Sequence, residues 1–232
     1  MTAPPPTAPA GDQPAPGSTP RTKGRRLNHN EVRDRAALHA VLDAGTVAHV
    51  AVVDGSGQPF VLPVAYARDG ESVVFHGSTG SRLFRTLAAG APTCFTVTLL
   101  DGLVLARSAF ESSMNYRSVM VLGTCTSLTG DAKADALRTI TEHLLPGRWE
   151  HARPMLRKER AATIVLSLPL DECSVKIRTG GPTDETDDDI ALPIWAGHIP
   201  IRTVYDDPVV AADMVHDLPV PEHVRDLTGG SR

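Results

Sequence analysis

The sequence predicts a mainly β fold, an antiparallel β-barrel with few helices. About eight segments rich in β-branched and aromatic residues are separated by turns of Gly, Asp and Pro, whereas only three segments have helical spacing. Three irregularly placed helices cannot cover both faces of a parallel sheet, so a closed antiparallel barrel is the expected architecture. The 232 residues, of which 41% are hydrophobic, are enough to bury one substantial core.

Residues 1–26 are predicted to be a disordered leader. Residues 1–20 are rich in Pro, Ala, Gly and Thr and have no apolar periodicity, and residues 21–26 add four basic side chains. These charges follow a proline-rich stretch, whereas a secretion signal has its charges before a continuous apolar stretch. We therefore expect a solvated tail rather than a targeting segment.

The first helix is predicted over residues 31–44. Asn28 and Glu31 have the spacing of a capping box, and Gly45 is placed to end the helix. The apolar spacing predicts a buried stripe at Leu38, Val41 and Leu42.

Two strands, over residues 46–53 and 58–67, are predicted to form a hairpin because Asp54-Gly55-Ser56-Gly57 between them has strong turn chemistry. Pro63 lies inside the second strand and cannot donate to a sheet ladder. This strand is therefore expected to be an edge, to carry a bulge, or to face something other than a strand, such as a flat ligand. A third strand is predicted over residues 72–76.

Residues 75–87 pass from a strand end through a small-residue turn into a short helix over residues 81–89. Glycines let backbone N–H groups converge, the helix start adds a positive dipole end, and Ser81 and Arg82 offer side-chain donors. The pattern fits a cradle for a terminal phosphate. A plain strand-to-helix connection is the alternative interpretation of the same residues.

The rest of the chain completes the barrel. A helix is predicted over residues 131–145, and a turn at Asp101-Gly102 is predicted to join two separate strands. The remaining strands are expected at residues 93–100, 103–109, 116–127, 161–168 and 174–179. The acidic run 184–189 is interpreted as a solvated loop, and residues 203–232 as an extended arm over the surface or over a partner subunit.

Composition excludes several function classes. A net charge of −4 spread over both signs argues against a general nucleic-acid surface, and no apolar run reaches the roughly 18 residues needed to span a membrane. The three cysteines have no metal-ligand spacing, the nine histidines include no His-x-x-x-His pair, and no Gly-x-Ser-x-Gly or Gly-x-Gly-x-x-Gly motif occurs. We expect a cytoplasmic protein without a metal site.

Several stretches, taken in order, resemble the flavin-binding split-barrel family of pyridoxamine 5'-phosphate oxidase, and within it the branch that includes the nitroimidazole-resistance reductases. The stretches are residues 60–66, 74–83, 93–97, Ser108 with 114–119, 174–180 and 195–200. The resemblance implies an antiparallel split barrel over residues 27–202, an FMN cofactor, and a homodimer with the flavin at its two-fold interface.

The resemblance also implies a set of site residues. Ser81 and Arg82 would hold the flavin phosphate, and His76 and Gly77 would lie beside the ribityl chain, with His76 as the candidate catalytic residue. Backbone groups of Leu62, Pro63 and Val64 would face the ring edge. The flavin would also be approached from the opposite strand by Asn115, Tyr116, Arg117 and Ser118, and from the other protomer by Lys176, Arg178 and Trp195. A strand-end histidine for His76 and core packing for Trp195 are the alternatives.

The function implied is an FMN-dependent oxidoreductase that acts on a small molecule. The alternative is a non-catalytic protein that binds or stores flavin, deazaflavin or haem. A second phosphate cradle, which oxidation of pyridoxal phosphate precursors would demand, is not evident in the sequence, so pyridoxamine phosphate oxidase activity itself is not expected.

Overall fold

The computed structural model describes residues 13–24, 28–183 and 186–228, and within these ranges the chain forms one ten-stranded sheet and six α-helices. The strands are β1 (Glu31–Val32), β2 (Val47–Val53), β3 (Pro59–Asp69), β4 (Ser72–Ser78), β5 (Pro92–Leu105), β6 (Ser113–Thr124), β7 (Thr126–Ser127), β8 (Thr163–Pro169), β9 (Cys173–Arg178) and β10 (Gly197–Pro200). The helices are α1 (Arg35–Ala44), α2 (Arg82–Ala88), α3 (Gly130–Leu144), α4 (Arg157–Ala161), α5 (Asp187–Ile190) and α6 (Glu222–Thr228).

The sheet runs in the order β1-β9-β6-β5-β2-β3-β4-β8-β7, with β10 added to β5, and every pair is antiparallel. The strand path has two ends, so the barrel is split rather than closed as the element count suggested. The split arises at β3, which pairs with β2 through residues 59–65 and with β4 through residues 66–69. The mainly β antiparallel split-barrel fold is confirmed.

The barrel interior is packed with aliphatic and aromatic side chains. Tyr66 is fully buried, donates its hydroxyl to the carbonyl of Leu42 at 2.7 Å, and meets Phe95 edge-on with ring centroids 5.2 Å apart. The predicted stripe on α1 is confirmed, since Leu38, Val41 and Leu42 are all buried in this core. A second apolar cluster lies outside the barrel, where α3 covers β4 and β8.

The start of the first helix differs from the prediction. Glu31 and Val32 form a short strand paired with β9, and α1 begins at Arg35 with Asp34 as its N-cap, whose carboxylate accepts a hydrogen bond from the Ala36 N–H at 3.0 Å. The residues with capping-box spacing therefore do not start the helix, because the backbone of Glu31 and Val32 pairs with the edge strand β9 instead.

The turn predicted at Asp101-Gly102 is wrong, because β5 continues through these residues as one strand with a register shift against β6. An Asp-Gly pair suits a bulge as well as a turn. A Cβ at Gly102 would lie only 2.7 Å from the carbonyl oxygen of Ile199, so the glycine permits β10 to lie against β5.

Part of the predicted disordered leader is packed against the domain. Within residues 13–24, the Gly17 N–H donates to the Cys173 carbonyl at 2.7 Å, the Thr19 hydroxyl donates to Glu172 at 2.8 Å, and Arg21 forms an ion pair with Glu172. Hydroxyl and guanidinium groups that meet a carboxylate hold this segment, which the apolar pattern alone did not indicate. Residues 1–12 and 25–26 of the leader, residues 184–185 of the acidic run and residues 229–232 lie outside the described residues.

The C-terminal segment has no helix or strand from residue 203 to residue 221, and then forms α6. His223 on α6 stacks on His151 with ring centroids 4.4 Å apart. Several aliphatic side chains of the segment are fully in solvent, including Val209 at 95% exposure.

Candidate functional site

In the turn between β4 and α2, the backbone N–H groups of residues 79–81 donate hydrogen bonds within the protein. The Thr79 N–H donates to the Ala162 carbonyl at 2.9 Å, the Gly80 N–H to the Ser78 hydroxyl at 3.1 Å, and the Ser81 N–H to the Ser78 carbonyl at 3.0 Å. The first-turn amides of α2 and the side chains of Ser81 and Arg82 are therefore the donors left for an anion. Ser81 is the N-cap residue of α2, and its side chain makes no capping hydrogen bond.

Gly77 has a packing role. A Cβ at this position would lie 2.2 Å from the ring of Phe84, a buried residue of α2. The glycine thus lets α2 pack close to the end of β4, and no direct ligand contact is needed to explain it.

Arg82 joins the start of α2 to the start of β3. Its guanidinium carbon lies 4.3 Å from the centroid of the Phe60 ring, and its Nη1 lies 3.5 Å from Asp54 Oδ2. The hydrogen bonds from the Ser56 hydroxyl and from the Gln58 and Ser56 amides hold the pKa of Asp54 below its usual value, with a smaller contribution from Arg82. Asp54 is thus satisfied without Arg82, whose side chain is 64% exposed.

No strand among the described residues pairs with the edge of β3 next to Arg82 over residues 59–65, so the prediction that Pro63 marks an edge is confirmed. The Asp54 N–H donates to the Gln58 carbonyl at 3.0 Å, and the antiparallel alternation from this pair turns the even-numbered residues toward β2. The backbone groups of Leu62 and Val64 therefore bond to β2, and those of Val61, Pro63 and Ala65 face the open edge. The backbone groups of Leu62 and Val64, expected at a ring edge, are thus engaged by β2, and the groups that are open belong to their odd-numbered neighbours.

Two of the residues implied on β6 are engaged with other protein groups. Asn115 is buried, donates to the Gly180 carbonyl at 2.9 Å, and accepts from Arg178 Nη1 at 2.9 Å. Arg117 makes a two-point contact with Asp101 at 2.9 and 2.8 Å, and this hydrogen-bonded carboxylate raises the pKa of Arg117. These contacts fix the ends of β5, β6 and β9 in register.

Tyr116 and Ser118 alternate with Asn115 and Arg117 along β6, so they face the other side of the sheet. Ser118 lies directly opposite Lys176 of β9, and all three side chains are partly exposed. Trp195 precedes β10, is 67% exposed, and stands over Gly197, where a Cβ would lie 2.9 Å from its ring. The core-packing alternative for Trp195 is therefore wrong.

His76 is separated from the phosphate cradle. Phe75 of β4 points into the barrel, so His76 points outward, toward α3. There the His76 side chain lines a cavity of about 570 Å³. Partial burial by the surrounding protein lowers the pKa of His76. The other lining residues are Ala134, Leu137, Thr141, Trp149, Glu150, Ala152, Arg153, Pro154, Met155, Arg160 and Thr163, and neither Ser81 nor Arg82 is among them.

Sequence reasoning missed the loop that closes this cavity. Trp149 and Met155 are half-buried side chains in the otherwise polar stretch between α3 and α4, and they pack against the second apolar cluster. The sequence signal that could have indicated this packing was the presence of a Trp and a Met among basic residues in a loop.

A large apolar surface of the sheet and of the C-terminal segment is uncovered in the single chain. The exposed large residues include Val47, Val61, Leu62, Leu100, Leu103, Met114, Ile199, Val209, Val210 and Val215, each at least 44% exposed. Isolated exposed apolar side chains are ordinary, but so many on the sheet and on an extended segment are typical of an interaction surface.

Two further properties follow from the described ranges. They contain no group of three or more His, Cys, Asp or Glu side chains arranged to hold a metal ion. No helix in the same residues has the length and apolar character needed to cross a membrane.

The fold and the open β3 edge define an antiparallel split-barrel protein. A family model described as pyridoxamine 5'-phosphate oxidase matches residues 34–177, and the chain belongs to this family. A comparison with curated protein sequences finds no match.

Solved structures agree with this assignment. The FAD and haem binding protein from Mycobacterium smegmatis is 42% identical, with 87% of this chain and 98% of that chain covered and a TM-score of 0.82. The flavocytochrome Anf3 from Azotobacter vinelandii is also 42% identical, with coverage of 92% and 98% and a TM-score of 0.85. A putative 5-nitroimidazole antibiotic resistance protein from Bacteroides thetaiotaomicron, 18% identical over 63% and 86% with a TM-score of 0.51, shares the fold.

Proposed function

We propose that this protein is a redox protein that binds a flavin and a haem and transfers electrons to or from a small molecule. The observation that carries the proposal is the 42% identity, over nearly the whole chain, to an FAD and haem binding protein and to a flavocytochrome. A shared fold alone would not define the cofactor, because one fold hosts many functions. Identity at this level over 87 and 92% of the chain supports a shared binding site.

The residues at the open edge of β3 fit a flavin. Val61 and Ala65 present backbone N–H and C=O groups there, and Pro63 presents a carbonyl, which together suit the alternating donors and acceptors of the ring edge. Arg82 is adjacent, exposed and free to turn from Asp54 to a phosphate, since Asp54 keeps its bonds to Ser56 and Gln58.

The flavin that we propose is FAD rather than the FMN implied by the sequence resemblance. Arg82 and Arg85 line the same open pocket, of about 620 Å³, which runs along α2 from Arg82 to Ala91 and also includes Asp54. Two guanidinium groups one helical turn apart suit the two phosphates of FAD, whereas FMN has only one. The names of the two 42% identical structures point the same way.

When bound, the flavin supplies the electron-transfer chemistry, and the chain's own residues bind it, orient it and keep water from one face. The backbone at the β3 edge would fix the ring, and Arg82 would anchor the phosphate end. The open side of the site then admits a small substrate. The alternative, a non-catalytic flavin-binding protein, differs only in that the bound flavin would not be reoxidised by a substrate.

A second copy of the chain would complete the site. The uncovered apolar face and the aliphatic C-terminal segment need a partner, and a symmetric pair of chains would bury each against the other. Lys176, Arg178 and Trp195 would then lie near the flavin of the partner chain. An obligate interface of this kind buries more than about 2,000 Å² in total.

The test is the content of the purified holoprotein. We expect an absorption spectrum with both flavin and haem bands, and FAD as the flavin released on denaturation. Release of FMN would show that the cofactor is the one implied by the sequence resemblance. If the protein takes up neither FAD nor FMN when each is added in solution, the proposal is refuted. Reduction under anaerobic conditions, followed by reoxidation with candidate substrates, separates an oxidoreductase from a storage protein.

A further inference from the structure

The cavity next to His76 lies outside the proposed flavin site, and flavin binding does not account for it. Its floor is the outer face of β4 and β8, and its side wall is one face of α3, where Ala134, Leu137 and Thr141 follow at helical spacing. The loop over residues 149–155 closes it. A space of about 570 Å³ lies within the range of about 300–1,000 Å³ that small-molecule sites occupy.

The chemistry of the lining is specific. The walls are partly apolar, with Leu137 of the second apolar cluster and with Trp149 and Met155 packed against that cluster, and Thr141, Thr163 and Glu150 add polar groups to the lining. Two guanidinium groups, from Arg153 and Arg160, lie at the rim, and a single imidazole, from His76, lies on the floor. Such a site would hold a flat apolar molecule that carries anionic groups at one edge and a metal at its centre.

The His76 ring is free to act as a ligand. Among the described residues no hydrogen bond or ion pair engages it, whereas three other histidines have polar partners: His39 contacts Glu71 at 3.1 Å, His143 contacts the Gly45 carbonyl at 2.6 Å, and His151 contacts the Gly147 carbonyl at 2.8 Å. Imidazole nitrogen is the commonest axial ligand of haem iron in oxygen-reactive and electron-transfer proteins.

The two arginines of the lining differ in whether their charge is already paired. Arg153 is held by Glu159, with contacts at 2.9 and 2.6 Å, so its charge is already balanced. The Arg160 guanidinium has no such partner in the part of the chain that the structure describes, and only its backbone carbonyl is engaged, by Lys133. Arg160 is therefore the cation available to a carboxylate at the rim.

We infer that this cavity is the haem site, with His76 as the axial ligand of the iron and Arg160 as the partner of a propionate. The inference rests on the proposed function for the presence of haem, and it adds the location and the ligand. Binding there needs no redox step, because it joins the His76 ring nitrogen to iron and replaces solvent at Arg160.

The first experiment titrates the full-length protein with hemin and follows the Soret band. His76→Ala is expected to weaken binding by more than about tenfold and to change the spectrum of the iron, and added imidazole is expected to restore it. The matched control is His49→Ala, another solvent-accessible strand histidine that is not among the residues lining the cavity, and it should bind hemin like wild type. Flavin content reports folding of each variant.

The second experiment tests the rim. Arg160→Ala should weaken hemin about tenfold, whereas hemin dimethyl ester, which lacks carboxylates, should bind wild type and Arg160→Ala alike. Arg157→Ala, on the same short helix but absent from the cavity lining, is the control.

The outcomes separate the two levels of the hypothesis. If wild type takes up no hemin, the haem part of the proposed function fails. If wild type binds hemin and His76→Ala keeps the same affinity and spectrum, or if His49→Ala loses binding, the location inferred here is wrong.

Discussion

Replacement of Arg82 gives the sharpest test of the proposed flavin site. Its side chain is 64% exposed, lies 3.5 Å from Asp54 and covers the Phe60 ring at 4.3 Å, so it contributes little to the fold itself. An exposed ion pair and an exposed cation–π contact are each worth about 1 kcal/mol or less. A charge-assisted contact with a phosphate is worth about 1.5–3 kcal/mol, which corresponds to about 10- to 150-fold in affinity.

We therefore expect Arg82→Ala to fold normally and to bind FAD and FMN about 10- to 150-fold more weakly. Arg82→Lys should recover only part of the loss, because a point charge does not reproduce the planar fork of donors. Riboflavin, which has no phosphate, should bind wild type and Arg82→Ala equally. The assay is a flavin-fluorescence titration with all three ligands.

The matched variant Arg85→Ala distinguishes the two phosphorylated flavins, since it should weaken FAD and leave FMN unchanged if the pocket at α2 holds a pyrophosphate. The reasoning is refuted if Arg82→Ala weakens riboflavin as much as FAD. Arg82 would then support the edge of β3 rather than a ligand.

Three further predictions follow from other contacts. Gly102→Ala should destabilise the protein by about 1–3 kcal/mol in urea unfolding, because its methyl group would overlap the Ile199 carbonyl; Gly55→Ala, in an open turn, should cost less. The hydrogen bond and charge of Arg21 lower the pKa of Glu172, so this contact stabilises the folded state above the ordinary glutamate pKa and weakens as the pH falls below it. The protection factor of the Gly17 amide, which corrects hydrogen exchange for its intrinsic pH dependence, should fall in acid for wild type, whereas Glu172→Gln should show a low protection factor already at pH 7. Sedimentation should give a dimer at micromolar concentration, and a flavin-bound monomer would contradict the proposed interface.

The parts of the fold that depend on neighbouring residues were predictable from the sequence. The Asp54-Gly57 turn, the flanking strands and the edge position of Pro63 follow from local turn chemistry and from the missing proline N–H. Asp101-Gly102 was misread, because its role depends on the approach of β10, which lies about a hundred residues later. No local pattern distinguishes a bulge that receives another strand from a turn.

The candidate site was predicted less completely, for a related reason. Strand alternation already separates Phe75 from His76, but only the packing of α3 and the 149–155 loop turns the outer side of β4 into a cavity. The donors at the β3 edge needed the register with β2, which the sequence does not contain. The contact of residues 13–24 with Glu172 likewise depends on a partner far along the chain.

Strand β4 makes the two proposed cofactor positions parts of one rigid body. It carries His76 on one face and leads directly through residues 79–81 into Arg82, so a few residues of hydrogen-bonded backbone would set the separation between an iron held by His76 and a phosphate held by Arg82. The arrangement also depends on the alternation of side chains along β4. Insertion of one residue into the strand before His76 would turn its ring from the outer face into the barrel. Such a chain would keep its phosphate anchor and lose its iron ligand.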